Sequence, residues 1–412
     1  MVYGRIFRGN EIFDEVLVST FCAPHSYTGE NVVEINCHGS LYIQLETIKL
    51  LLTAGCRLAA AGEFTQRAFL NGKIDLSQAE AIGDLIASSS AAAHRIAIQQ
   101  MRGGISCQLT ALREKLLHFT SMVELELDFA EEDVEFADRK LLKDLALQVE
   151  TVISRLAASF ETGNAIKNGI PVAIVGETNA GKSTLLNRLL KDERAIVSET
   201  HGTTRDAIED TVVIDGLMFR FIDTAGIRET HDAVERLGIE RTFQKIEQAA
   251  IVLWIIDLLS EVQNISPVSE EIIARAQGKK LILILNKSDK LTDEELSQKI
   301  AQFDRFGEEK MIISAKTDDD LTALEHKMIE AANIPQIGEN DVIIANMRHY
   351  EALILALKAI QQVIYGLDKG ISGEFLSQDI RECLFHLGQI TGQQIGTEEV
   401  LGNIFSRFCI GK

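Results

Sequence analysis

The spacing of apolar positions changes three times along this chain. FDEVLVSTF and ENVVEINC are short apolar, β-branched runs divided by the turn-forming stretch APHSYTG, which predicts two strands. LYIQLETIKLLLTAG follows with helical recurrence and a stop at Gly55. From about 75 to 160 the recurrence is helical throughout, in LSQAEAIGDLIASSSAAAHRIAIQQM, CQLTALREKLLHFTSMVELELDF and RKLLKDLALQVETVISRLAASFETG. No proline falls between Pro24 and Pro171, which suits a bundle. From about 166 to 335 short apolar runs (PVAIV, TVVIDG, MFRFIDT, IVLWIID, KLILILN, EKMIIS) alternate with helical stretches, the signature of an α/β fold with a largely parallel sheet. After Pro335 helices return in NMRHYEALILALKAIQQVIYGL and FLSQDIRECLFHLGQITG.

The expected fold is therefore multidomain. An α+β unit covers 1–70, a helical domain 71–165, an α/β unit 166–335, and a second helical part 336–412. The simplest architecture is a helical domain with the α/β unit inserted into it. Two separate helical appendages fit the pattern as well.

Composition narrows the class. Six scattered cysteines without a CxxC pair signal neither a disulfide framework nor a zinc site. No apolar run spans a bilayer, and the first residues lack a signal-peptide core, so a cytoplasmic protein with no membrane association is expected. A formal net charge of −20 argues against a chain that coats nucleic acid. Part of that acidity lies in ELELDFAEEDVEFAD, Glu124 to Asp138, read as a solvated helix end and turn.

The candidate chemistry sits in the α/β unit. GETNAGKS, Gly176 to Ser183, fits G-x-x-x-x-G-K-[ST] between a predicted strand and the predicted helix TLLNRLL. Its glycines let the backbone wrap phosphates, and Asn179, Ala180, Gly181, Lys182, Ser183 and Thr184 are the expected contacts. Lys182 should reach the β and γ phosphates, and Ser183 should hold Mg²⁺. FIDTAGIRE then places Asp223 at a strand end, followed by Thr224, Ala225 and Gly226, whose N–H can meet a γ-phosphate. ILILNKSDK supplies Asn286, Lys287 and Asp289. A carboxylate at Asp289 matches the N1 and N2 protons of guanine and loses its partners against adenine. Ser314, Ala315 and Lys316 would close over the base, and GTTRD, Gly202 to Asp206, occupies the place of a mobile switch loop. Four elements in this order point to a GTP-hydrolysing domain.

One familiar part is missing. Where many such domains carry a glutamine that orients water, this chain has Ile227. Asp232 and Glu235 are the nearest acids, and both also read as helix N-terminal acids that offset the helix dipole.

Together these stretches resemble the MnmE (TrmE) family of tRNA modification GTPases. The resemblance is carried by SYTGENVVEINCHG, GEFTQRAFLNGKIDLSQAEAIGDLI, NAGKSTLLN, GTTRD, DTAGIRETHDAVERLGIERT and FCIGK, over nearly the whole chain. It implies an N-terminal folate-binding domain, a helical domain and an inserted G domain. It also implies a homodimer whose G domains meet when GTP and K⁺ are bound. By matching position, Asn179, Ser198, Thr200 and Thr203 would surround K⁺, with Ser198 and Thr203 also near the nucleotide, and Thr204 would join Ser183 on Mg²⁺. Glu235 matches the family's catalytic glutamate, while Asp232 keeps its structural reading. Glu34, Lys73 and Lys412 match residues of a site for a 5-formyl-tetrahydrofolate-type cofactor. The implied partners are tRNA and an FAD-carrying MnmG-type flavoprotein, in a hetero-oligomer that modifies C5 of the wobble uridine.

The end of the chain, CIGK, is spaced like a prenylation box, but Gly then Lys fits that chemistry poorly. The resemblance instead gives Cys409 a role in the modification chemistry, beside the alternative of a small buried cysteine. Family members carry a further segment ahead of the counterpart of MVYGRIF, with an arginine of the folate pocket, so folate affinity and the dimer interface are left open here. Thr178 stands where the family commonly has proline, with little expected consequence. Two other functions compete: a ribosome-assembly switch, for which GISG at 370–373 is the nearest RNA-clamping loop, and a folate- or protein-binding scaffold. Arg57, Arg67 and Lys73 are the nearest thing to a basic patch for tRNA.

Overall fold

The computed structural model describes residues 1–128, 138–191, 210–222, 243–303, 310–335, 338 and 341–392. They divide into two compact units. One comprises Met1–Ala87, Ala97–Ala158 and the chain from Arg348 on; the other comprises Ser88–Ile96 and Ser159–Met347. The second unit is thus inserted in the chain of the first. The segment 88–96, which the apolar spacing places in the helical run, belongs with the inserted unit.

The first unit opens with an antiparallel sheet of β1 (Val2–Arg8), β2 (Glu11–Phe21) and β3 (Val32–Asn36), in that order. Helix α1 (Leu41–Thr53) follows and ends on the Gly55 turn, and α2 (Glu63–Leu70) leads into the bundle. The bundle contains α3 (Leu76–Ala87), α4 (Ala91–Met101, beyond its first turns), α5 (Gly104–Asp128), α6 (Arg139–Ala158) and two helices near the other end of the chain. Helix α5 buries Ile105, Leu109, Leu112 and Leu116, spaced by four, three and four. Against it packs the last helix described below, which buries Leu376, Ile380, Cys383 and Leu387 at the same spacing. Two stripes of that period interlock side by side.

Helix α7 (Phe160–Asn168) starts the inserted unit, and β4 (Ile170–Val175) enters its sheet. After α8 (Lys182–Lys191) come β5 (Asp210–Ile214) and β6 (Leu217–Phe221), a hairpin turning on Asp215 and Gly216, both with positive φ. The remaining elements are β7 (Ile251–Asp257), α9 (Val262–Arg275), β8 (Lys280–Asn286), α10 (Asp293–Gln302), β9 (Lys310–Ile313) and α11 (Asp318–Ala332). The sheet order is β5-β6-β4-β7-β8-β9, parallel except at the β5–β6 edge. Strands β4, β7 and β8 are buried on both faces, which is why they read as continuous apolar runs. Alternate residues feed two cores: Val172 and Ile174 one, Ala173 and Val175 the other.

The chain leaves this unit through 341–346. Ile344 N–H donates to Ser159 Oγ at 3.0 Å, and a Cβ on Gly163 would lie 2.2 Å from the Ile344 carbonyl oxygen. Helix α7 carries glycine there because the outgoing backbone runs against it. Helices α12 (Met347–Lys369) and α13 (Gly373–Thr391) then complete the bundle.

The bundle's seam is ionic. Glu80 of α3 accepts two bonds from Arg348, at 2.8 and 2.7 Å, and one from His349 Nε2 at 2.7 Å. Arg348 also donates to the Gln389 and Ile390 carbonyls at the end of α13. His349 is 1% exposed, and its Nδ1 has no hydrogen-bond partner. Burial alone would push the Glu80 carboxyl up; His349 and Arg348 override it and hold it at about 2. A carboxylate held below its unfolded value adds stability above that unfolded value and loses it as pH falls through the folded one. Glu80→Gln should therefore cost about 3 kcal/mol in urea unfolding at neutral pH. Its deficit against the parent should shrink between about pH 4.5 and about pH 2. A deficit that stays constant across that window would show that the charge of Glu80 does not hold the seam.

Candidate functional site: a nucleotide pocket at the sheet's carboxyl edge

Strand β4 ends at Val175 and the chain turns through 176–181 before α8 begins at Lys182. This loop exists because its glycines lack Cβ atoms. A Cβ on Gly176 would lie 2.2 Å from the Ile255 carbonyl oxygen, and one on Gly181 would lie 2.1 Å from Asn286 Nδ2. Both have φ in the region glycine tolerates, 147° and 105°, and Asn179 adopts 64°. The loop therefore sits directly on β7 and β8, with the amino end of α8 behind it. Lys182 Nζ donates to the carbonyls of Gly176 and Glu177 at 2.7 and 2.5 Å, folded over the loop that phosphates would occupy. Burial, and after it nearby Lys245, lowers the Lys182 ammonium below its ordinary value, while Glu177 opposes this. An arriving phosphate supplies the countercharge that this ammonium lacks. Ser183 is half-buried on the first turn of α8, and Thr184 faces solvent.

The base-side residues converge from β8 and the turn after β9. Asn286 is 3% exposed and donates Nδ2 to the Ala180 carbonyl at 2.7 Å. Its Oδ1 accepts from Ala315 N–H at 2.9 Å. One amide thus joins the phosphate loop to the base loop. Lys287, at φ 71°, reaches Asp257 Oδ2 at 2.5 Å. Asp289 is exposed and accepts from Ser314 Oγ at 3.0 Å. Ser314 also donates its N–H to Asp320 Oδ2 at 2.7 Å, and Arg188 holds the Lys316 carbonyl at 2.7 Å.

The expected set is thus brought together for Asn179, Ala180, Gly181, Lys182, Ser183, Asn286, Lys287, Asp289, Ser314, Ala315 and Lys316 on one edge of the sheet. Ser198, Thr200, Thr203, Thr204, Asp223, Thr224, Ala225, Gly226, Ile227, Asp232, Glu235, Cys409 and Lys412 lie outside the described residues. The sequence reading missed Asp257, Arg188 and Asp320. Asp257 left one signal, an acid at the end of an apolar strand; Arg188 and Asp320 left none separable from an ordinary helix surface.

The other candidates are spread over the first unit. Glu34 is exposed on β3, paired across the sheet with Ser19. Lys73 packs its stem against Gly29 and donates to the Pro24 carbonyl at 3.0 Å. Among the described residues no ion pair joins the two. Arg57 and Arg67 do meet, but around one carboxylate. Glu63 binds Arg57 at 2.5 and 2.8 Å and Arg67 at 2.6 and 3.1 Å, and Glu30 takes Arg67 at 2.9 Å. These bonds, with one from Ala60 N–H, hold the Glu63 carboxyl far below its ordinary value. The two arginines of that expected basic patch are therefore paired with acids, while Lys73, among the described residues, is not. Gly370 lies in the turn between α12 and α13, and Gly373 opens α13, so GISG is a helix connection. No helix among the described residues is long and apolar enough to cross a membrane.

This arrangement defines a class: a P-loop GTPase unit inserted in the chain of a helical one. The comparisons take it further. Residues 76–409 match the MnmE helical domain, and residues 1–73 match the GTP-binding protein TrmE N-terminus. The tRNA modification GTPase MnmE of Bacteroides fragilis is 60% identical over 415 residues, covering 100% of this chain and 89% of that protein. The protein of the same name from Bacteroides thetaiotaomicron is also 60% identical, with the same coverage. The crystal structure of Aquifex aeolicus Era bound to GDP and AlF4⁻ aligns at 28% identity over 46% of this chain and 65% of that one. Its TM-score is 0.30, too partial a likeness to bear on the assignment. The chain belongs to the MnmE family of tRNA modification GTPases.

Asn286→Ala leaves the Ala180 carbonyl and the Ala315 N–H without their partner. It should weaken GDP binding at least about tenfold, the size of one lost buried hydrogen bond or more, in a fluorescent-nucleotide titration. Unchanged affinity would show that the amide bridge does not shape the pocket.

Proposed function

We infer that this chain is a K⁺-dependent GTPase. With an FAD-carrying MnmG-type flavoprotein, its hydrolysis cycle drives addition of an aminomethyl or carboxymethylaminomethyl group at C5 of the wobble uridine of tRNA. The reading is carried by the Asn286 bridge between the phosphate and base loops, in a chain of the MnmE family.

Lys182 and the amides of the 176–181 turn bind the phosphates, and Asp289 takes the guanine N1 and N2 protons. Ser183 and Thr204 would hold Mg²⁺, with Asp223 behind them. Asn179, exposed and making no described hydrogen bond, would share K⁺ with Ser198, Thr200 and Thr203. Such an ion supplies positive charge beside the phosphates as the leaving oxygen gains charge. Glu235 orients the attacking water, because Ile227 carries no polar group to do so. The working form is a homodimer, bound to its flavoprotein partner, in which the two G domains would meet when GTP and K⁺ are bound. The exposed Glu34 carboxylate and the Lys73 ammonium suit the donors and the glutamate tail of a 5-formyl-tetrahydrofolate, with Lys412 from the chain end. Cys409 serves the modification chemistry.

GTP hydrolysis should be many-fold faster in potassium chloride than in sodium chloride at equal ionic strength, and Asn179→Ala should abolish the difference. Equal slow rates in both salts would overturn the K⁺ reading. Glu235→Ala should lower kcat by about a hundredfold at near-parental GDP affinity, the scale of a lost general base. A loss confined to affinity would remove Glu235 from the water-positioning role.

A further inference from the structure

Two helices of the inserted unit begin with the same pattern and use it differently. Helix α10 starts Thr292-Asp-Glu-Glu295 and α11 starts Thr317-Asp-Asp-Asp320. Both spell a capping box, in which the threonine takes the N–H three residues on and the acid returns to the threonine's own N–H. In α10 the box is closed both ways, with Glu295 on the Thr292 N–H at 2.9 Å. In α11 the Thr317 side chain makes no cap bond. Asp320 Oδ2 instead takes the Ser314 N–H at 2.7 Å and lies 2.5 Å from the Thr317 hydroxyl. The Thr317 N–H closes the 314–317 turn on the Ser314 carbonyl. The acid is drawn off its own helix and onto the base loop.

We propose that Asp320 is a positioning residue for guanine recognition. It acts through Ser314 on Asp289, and the proposal rests on the guanine-pocket reading above. The loop is held at three points: Ala315 by Asn286, Lys316 by Arg188, and Ser314 by Asp320. Only the last bears on the residue whose hydroxyl touches Asp289. Ser314 is buried and Asp289 exposed, so the serine is the fixed member of that pair. Fixing the Ser314 backbone fixes where its Oγ presents a proton, and hence how the Asp289 carboxylate faces the base. A carboxylate turned away loses the guanine 2-amino group first, because both base protons are met only when its two oxygens lie along the base edge. Asp320 therefore contributes to discrimination between guanine and hypoxanthine, which lacks that amino group, and not merely to affinity.

The test compares GDP, IDP and ADP binding by calorimetry on the full chain. Asp320→Ala should weaken GDP roughly tenfold and IDP far less, so the GDP-over-IDP preference falls about fivefold. Asp320→Asn keeps an oxygen acceptor at that place and should stay within about twofold of the parent. Ser314→Ala should reproduce the loss of preference, and adding Asp320→Ala to it should lower the preference no further. Equal weakening of GDP and IDP in Asp320→Ala would mean simple fraying of α11 and would overturn the proposal. So would an unchanged preference, or an Asn variant as impaired as the Ala one. A parent chain that does not prefer GDP to ADP would overturn the guanine pocket itself, and this inference with it.

Discussion

The nucleotide site depends on one buried amide. Asn286 stands at the carboxyl end of β8, in register with Asp257 of β7, and its side chain points both ways along the sheet edge. It needs a donor for the Ala180 carbonyl and an acceptor for the Ala315 N–H, and only an uncharged amide of that length offers both. An aspartate could not donate, and a leucine would strand two buried backbone groups. The amide also explains Gly181, since its nitrogen occupies the space a Cβ would take. Phosphate loop and base loop are thereby joined through one side chain.

Two acids outside the recognised motifs flank that bridge. Asp257 restrains the ammonium of Lys287, whose own backbone is held in a left-handed conformation. Asp320 restrains Ser314. Each is a charge that orients a neighbouring group, which is how a pocket made of loops takes its geometry from the strands beneath it.

The inserted unit imposes a second constraint, that the chain must leave and return. Ser159 Oγ on Ile344 N–H and the bare face of Gly163 fasten its outgoing segment to its incoming helix. In the bundle, Glu80 gathers Arg348 and His349 just after the chain resumes. Each unit thus closes its own seam with a polar contact between residues more than 180 positions apart. Such contacts make the interruption tolerable, because neither core is left with a frayed edge.

The strand, loop and helix at 170–191 were legible in the sequence because their chemistry is local. Phosphate binding needs glycines, a lysine and a helix start in consecutive positions, and the proposed guanine contacts likewise lie in two short runs, NKSD and SAK. The helices 104–128 and 373–391 were equally plain from their apolar stripes. Other features were silent. Strand β1 is exposed along most of its length, so it carries no alternation to read. The segment 88–96 has the small, helix-compatible residues of its neighbours. It joins the inserted unit only because Ala92 bonds the Gly216 carbonyl and Ala93 and Ile96 pack on Ile166 and Ile343. Thr292–Glu295 and Thr317–Asp320 are alike as strings, yet one caps its helix and the other braces a loop. By itself the sequence determined the class of unit and the phosphate and base motifs, since those are set by neighbours along the chain. Tertiary structure alone decided which acid meets which donor, since a hydrogen bond is settled by distance in space and not by position in the chain.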